Sequence, residues 1–379
     1  MPGEMASACL LCRQRDLWKA AEVGAVLLTG SRPFQATRCS FDKRPFFVSF
    51  QARFHTSPIR KYSWLSFLLG DWATKRFTKY SKVFTVDGNL CVNKGKFAQQ
   101  IAEQLGLRYF PEVDLHYVDK VSGYGTCLDP AFIGNCSLEA FYDNPKNPDG
   151  NAYRLQAYLF TCRVLQYADA LEHLFNTGQG VILERSPFSD FVFLEAMSQQ
   201  GYIRKECVSH YNKIKEYSIY RFLPPHLVFY IDVPVSEVLK RIEEKGEPYE
   251  KKVSPAYLQS IEDVYKKSFL PQISEVSEVL QYTASRAEDL EIVLEEIELL
   301  EFKKGPWPDQ TDGSLHDLRM LVENKMQVLI PTSLPFHIKE LTMSGTLADQ
   351  IYFAWKSFPG HRYARGYNAD AGDKWIWLK

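Results

Sequence analysis

Apolar positions along this chain alternate between two periods. Five short, nearly continuous apolar runs read as buried strands: Lys82–Asp87 (KVFTVD), Leu107–Glu112, Gly180–Glu184 (GVILE), Leu227–Val233 (LVFYIDV) and Glu278–Thr283. Between them the period lengthens to that of a helix. In Lys94–Leu105, Phe97, Ala98, Ile101 and Leu105 share one face, and Gly106 is a natural stop. Asn151–Asn176 aligns Leu155, Leu159, Cys162, Leu165, Ala168 and Leu171 along one side, and Gly178 and Gly180 close it. Helices are also predicted after Glu184 through residue 220, over Pro234–Glu244, Ala256–Phe269 and Leu290–Leu300. Residues 113–150, rich in Gly, Asp, Asn and Pro, read mainly as a long loop. Strands alternating with helices predict an α/β fold with a parallel five-stranded sheet and right-handed crossovers.

The two ends break this rhythm. Residues 1–60 place Arg13, Arg15, Arg32, Arg38, Arg44 and Arg53 among Ser, Ala, Leu and Phe, with few acids. That character fits a mitochondrial transit peptide, with the folded part beginning near residues 58–62. Ser63–Gly70 (SWLSFLLG) is far too short to span a bilayer and reads as an amphipathic segment packed on protein. Residues 301–379 contain Pro306, Pro308, Pro331, Pro335 and Pro359, and finish in the aromatic run Lys374–Lys379 (KWIWLK). They read as an appended extension whose aromatics are buried against this chain or a partner.

Charge and cysteines narrow the function classes. The chain carries a formal net charge of -1, but residues 1–62 hold ten Lys/Arg and four Asp/Glu, a net of +6. The remainder is therefore acidic, which does not suggest a nucleic-acid binder. The eight cysteines include a lone pair at CxxC spacing, Cys9 and Cys12, inside the targeting segment; the others are scattered. A reducing compartment follows, with no disulfide framework and no zinc site.

The first strand runs directly into Gly88-Asn89-Leu90-Cys91-Val92-Asn93-Lys94-Gly95-Lys96. A phosphate loop reads GxxxxGK[ST] between a strand and a helix, where backbone N–H groups and the helix N-terminus hold phosphate oxygens. Gly88 stands at the first glycine and Lys94 at the lysine. Asn93 replaces the second glycine; asparagine tolerates left-handed backbone angles, so the loop can still close. Gly95 replaces the Ser/Thr that would hold magnesium, and it has no hydroxyl.

With that loop, the chain resembles the deoxyribonucleoside kinase family, whose loop reads GNxxxGK[ST]. The family's second strand is followed by a general-base Glu, and Pro111-Glu112 stands there. A Gln that reads the base, with an Arg seven residues on, is matched by Gln156-Ala157-Tyr158 and Arg163. Glu184-Arg185-Ser186 and Ser189-Asp190 match the family's Glu-Arg-Ser and Ser-Asp. Its lid, R-x-x-x-R-G-R, is matched by Arg241, Lys245, Gly246 and Glu247. Taken singly, each residue is better read as an ordinary one: Glu112 as a solvated strand-end acid, Gln156 and Arg163 as helix residues, Glu184-Arg185 as an ion pair. Their joint order over residues 81–300 carries the resemblance.

The departures shape the expected function. Phosphoryl transfer depends on magnesium and on positive charge around the moving group, and one arginine there contributes on the order of 10³–10⁵ in rate. Gly95 removes a metal ligand, and Glu247 reverses the sign of a lid arginine. Lys245 keeps charge without the bidentate fork of arginine. Turnover is therefore expected to be lost, with no catalytic residue and no metal. The loop, Lys94, Lys96 and Arg185 could still hold a purine (deoxy)nucleotide.

More narrowly, with its targeting segment and its extension ending GDKWIWLK, the chain resembles the kinase-like accessory subunits of mitochondrial respiratory complex I. That resemblance implies a non-catalytic role in assembly or stability of the electron-transfer machinery. It implies the other subunits of complex I as partners, and a place in the mitochondrial matrix, peripheral to the inner membrane. The family is also described as flavin-binding, but no GxGxxG follows a strand here, so the residues do not support FAD. No cofactor is required. A nucleotide-binding sensor and a weak mitochondrial deoxynucleoside kinase are the alternatives.

Overall fold

The computed structural model describes residues 62–117, 135–333, 338–342 and 344–357. The targeting segment and the terminal aromatic run read from the sequence lie outside the described residues. Tyr62–Thr342 form one compact unit.

The sheet contains β1 (Val83–Gly88), β2 (Arg108–Phe110), β3 (Val181–Glu184), β4 (Leu227–Asp232) and β5 (Glu278–Thr283). Its order is β2-β3-β1-β4-β5 and every pairing is parallel. β1, β3 and β4 are almost wholly buried, which explains why they read as unbroken apolar runs. β2 is shorter than the Leu107–Glu112 run. It is an edge strand pairing only with β3, and Pro111 supplies no N–H to extend the ladder.

The longer helices of this unit among the described residues are α1 (Lys94–Leu105), α2 (Asn151–Thr177), α3 (Phe191–Gln199), α4 (Lys205–Ile219), α5 (Val235–Lys245), α6 (Pro255–Val264), α7 (Leu290–Leu299) and α8 (Asp312–Glu323). Shorter helical turns link them. α2 ends at Gly178, whose φ of 75° is left-handed and whose N–H bonds to the Leu174 carbonyl. A side chain at Gly178 is also excluded, because its Cβ would lie 2.2 Å from the Arg76 carbonyl oxygen.

Two stretches differ from the sequence reading. The long loop of residues 113–150 contains a helical turn, Leu138–Asp143, capped by Ser137 and anchored by buried Phe141. Phe141 meets Tyr202 and Tyr257 edge-on, so tertiary aromatic packing holds a segment too short to show helical periodicity. The helix expected over Ala256–Phe269 stops at Val264 and passes through a π-helical turn, Tyr265–Phe269, into Leu270–Ser274. Pro271 has no N–H to continue the regular ladder there.

Residues 301–333 and 338–342 lie against the sheet domain. Phe302 stacks on Phe84 of β1, and Trp307 stacks on His226 at 4.1 Å while its indole N–H donates to the Pro224 carbonyl. α8 starts with a Thr311–Ser314 capping box and packs on α2 through buried Leu315, Leu318, Leu321 and Val322. Arg319 on α8 donates to the Asp71 carbonyl at 2.7 Å and lies over the Tyr62 ring, joining both ends of the unit. The helix Gly345–Ser357 belongs to a second unit, and its start is held by the Ser344 hydroxyl, which accepts from Leu347 N–H.

Candidate functional site

The chain leaves β1 toward β2 on one side and leaves β3 toward β4 on the other. The carboxyl ends of β1 and β3 therefore flank the switch point, where open α/β sheets place their ligand crevice. The register sets Val86 beside Glu184 and Gly88 beside Ile231.

The loop from β1 to α1 has the backbone of a phosphate cradle. Gly88 has φ of 151°, and a Cβ there would lie 2.8 Å from the Ile231 carbonyl oxygen. Cys91 and Asn93 also have positive φ, and Asn93 takes the left-handed conformation at the position of the second glycine. The Asn89 side chain ties the loop to α6 by donating to the Leu258 carbonyl at 3.1 Å. Buried Lys94 turns back and donates to the Asn89 carbonyl at 3.0 Å. Burial, with Arg185 close by, pulls its pKa down to about 8. Lys96 is exposed, on the other side of α1 from buried Lys94 and Phe97.

Glu112 gathers the cations of the crevice. Its Oε1 accepts from Arg185 and, at 3.3 Å, from Arg163, and Lys94 Nζ lies 4.0 Å from Oε2. Burial raises the pKa of this carboxyl, but Arg185, Lys94 and Arg163 outweigh it and hold the group at about 2. Arg185 adopts a left-handed φ of 62°, which aims its guanidinium across the loop to the Gly88 carbonyl at 3.2 Å and over the Phe193 ring. Asp87, wholly buried at the end of β1, has its pKa pushed up to about 6 by desolvation.

A second cluster surrounds Gln156. Gln156 Nε2 donates to Asp190 Oδ2 at 2.7 Å, and Tyr211 donates to the same oxygen. Arg163 donates to Asp190 Oδ1. Gln156, Arg163, Asp190 and Tyr211 are all buried.

Gly95, next to Lys94, faces a carboxylate. A Cβ on Gly95 would lie 2.8 Å from Glu184 Oε1 and 3.2 Å from the Tyr109 hydroxyl. Tyr109 donates to that same Glu184 oxygen. In the lid, Arg241 pairs along its own helix with Glu237, and Glu247 is exposed with its N–H on Glu250 Oε2. The Lys245 side chain lies outside the described residues.

The structure thus brings together Gly88, Asn89, Lys94, Gly95, Glu112, Arg163, Glu184 and Arg185, with Gln156 and Asp190 behind them. It turns Lys96 outward. Sequence reasoning missed Tyr109, Tyr211 and Asp87. Asp87, just before Gly88, could have been found from its place at the strand end. Tyr109 sits two residues before the Pro-Glu pair, but no spacing rule marks a phenol there.

A family model described as deoxynucleoside kinase matches residues 84–300. The chain belongs to the deoxynucleoside kinase family. Within it, the chain belongs with the NADH dehydrogenase [ubiquinone] 1 alpha subcomplex subunit 10 proteins. It is 57% identical to the mitochondrial protein of that name from Bos taurus over 86% of this chain and 95% of the bovine one. It is 27% identical to a deoxyguanosine kinase of Dictyostelium discoideum over 59% of this chain and 71% of that enzyme. Among solved structures, a deoxyadenosine kinase from M. mycoides aligns at 19% identity and a TM-score of 0.45, covering 57% of this chain and all of that one.

Proposed function

We propose that this chain is a non-catalytic accessory subunit of mitochondrial NADH:ubiquinone oxidoreductase, bound peripherally on the matrix side of the inner membrane and supporting assembly or stability of the complex. The observation that carries the reading is the 57% identity to a mitochondrial subunit of that enzyme across 95% of its length. The crevice agrees with it. The lid arginine is spent on Glu237, the base-reading glutamine on Asp190, and the hydroxyl position is a glycine faced by a carboxylate. Among the described residues, no helix is long and apolar enough to cross a membrane. The test is depletion of the chain from cultured cells. Assembled NADH dehydrogenase on native gels should fall and return with the full chain; unchanged assembly after complete depletion would refute the reading.

A second reading is compatible with the first. The left-handed Asn93, the Gly88 turn and the Lys94–Arg185 pair keep a phosphate-shaped loop, which supports a bound purine (deoxy)nucleotide held without turnover. Thermal unfolding with millimolar ATP, ADP or each deoxynucleotide tests it: a bound nucleotide raises the midpoint by mass action.

A further inference from the structure

Kinases that use this loop hold magnesium with the Ser/Thr hydroxyl that follows the lysine. The residues here do not fit that ion. Gly95 supplies no hydroxyl, and the space its side chain would take is bounded by Glu184 Oε1 and the Tyr109 hydroxyl. Glu184 is the carboxylate beside that position, and it already accepts a hydrogen bond from Tyr109. The carboxylate oxygen nearest that position is the one to which the phenol donates.

We propose that Tyr109 closes the divalent-cation position of this phosphate loop, so that a nucleotide held by the loop is held without metal. The proposal rests on the second reading above for its nucleotide, but not for the role of Tyr109. Geometry sets that role. Tyr109 and Phe110 end β2, where the register places Tyr109 beside Ile182, two residues before Glu184 on β3. The short edge strand thus delivers the phenol across to the carboxylate at the end of its neighbour. Burial and the adjoining Glu184 both raise the Tyr109 pKa, so the phenol stays a proton donor throughout the physiological range. The positive charge that a metal would bring next to the phosphates is supplied instead by Lys94 and Arg185, which Glu112 holds in place.

The test uses the full chain, Mn²⁺ as the metal probe, and ADP as the nucleotide. Mn²⁺ binding is read by the loss of the free-ion electron paramagnetic resonance signal. ADP affinity is read by calorimetry, in EDTA and in Mn²⁺. The wild type should bind ADP no more tightly in Mn²⁺ than in EDTA, and without nucleotide should take up no Mn²⁺. Tyr109→Phe frees Glu184 and should begin to retain Mn²⁺. Gly95→Ser with Tyr109→Phe should retain more, with ADP affinity rising on the order of tenfold in Mn²⁺. Gly95→Ser alone should gain nothing, because the phenol still holds the carboxylate. Manganese-dependent ADP binding by the wild type would overturn the proposal, as would a double variant indifferent to Mn²⁺. If no protein in the series binds ADP in EDTA or Mn²⁺, the nucleotide reading fails by itself. Mn²⁺ uptake by Tyr109→Phe and by the double variant, measured without nucleotide, then decides the role of Tyr109. If the double variant does not fold, Tyr109→Phe alone decides it by the same criterion.

Discussion

Gln156 donates its side-chain amide to the carboxylate of Asp190, 34 positions later in the chain, at 2.7 Å. Gln156 is thus held by an acid that also anchors Arg163 and Tyr211. Asp190 is fully buried, so the cluster joins α2, α4 and the start of α3 at the floor of the crevice. A polar network so completely enclosed fixes its members in one arrangement. A kinase-like crevice and a rigid scaffold are served by the same bonds.

Asp190→Ala leaves the Arg163 guanidinium, Gln156 and the Tyr211 hydroxyl without their shared acceptor. Breaking a buried ion pair from one side costs about 3–5 kcal/mol. Urea unfolding of the variant should show a loss of that size, with fluorescence and circular dichroism changing together. A loss below about 1 kcal/mol, the size expected of an exposed pair, would mean the cluster is not the floor of the domain.

Trp307 extends the core beyond the last sheet strand. Its ring stacks on His226, and its indole N–H holds the Pro224 carbonyl just before β4. Large-to-small changes at aromatic core positions cost about 3–5 kcal/mol, and a partly exposed site falls at or below the lower end. Trp307→Ala should therefore destabilise by about 2–3 kcal/mol. Trp307→Phe should recover the stacking but not the hydrogen bond, and should fall between the two. Thermal melts of the three proteins check this ordering.

Two carboxyls give opposite pH dependences. Glu112 titrates near 2 in the folded chain, below the usual glutamate value. Its contribution is complete above about pH 4.3 and is lost as pH falls toward 2. Asp87 titrates near 6, above the usual aspartate value, because burial penalises its charge. The folded chain then binds the extra proton, so stability falls as pH rises from about 4 to 6. Asp87→Asn should remove the second slope and leave the first. Stability of the two proteins measured from pH 3 to 7 checks it: their difference should change between about pH 4 and 6 and level off above.

The sheet and its main helices were legible in the sequence because their patterns are long and their punctuation is strong. β1, β3 and β4 are buried on both faces and so appear as unbroken apolar runs. α2 ends, as its sequence marked, at Gly178, which is left-handed. The phosphate loop could be placed because glycine and asparagine mark positive φ, and Asn93 adopts it. What was not legible depends on contacts between distant parts. The turn at Leu138–Asp143 is held by Tyr202 and Tyr257, more than sixty positions away from Phe141 in the first case and more than a hundred in the second. Tyr109 meets Glu184 only because the sheet order sets β2 next to β3. Arg241, read from the sequence as a lid cation, pairs instead with Glu237 one turn earlier on its own helix.

The central claim is that this kinase-like body serves the respiratory complex as structure and not by transferring phosphate. The most direct measurement returns a lid variant, Arg241→Ala with Lys245→Ala, to cells depleted of the chain. The variant removes the lid cations that any phosphoryl transfer would need, and Arg241 contributes only a partly exposed pair on its own helix. Structure alone predicts full-size NADH dehydrogenase on native gels and wild-type NADH oxidation. Loss of either, with the purified variant melting at the wild-type temperature, would contradict the account and return the crevice to chemistry.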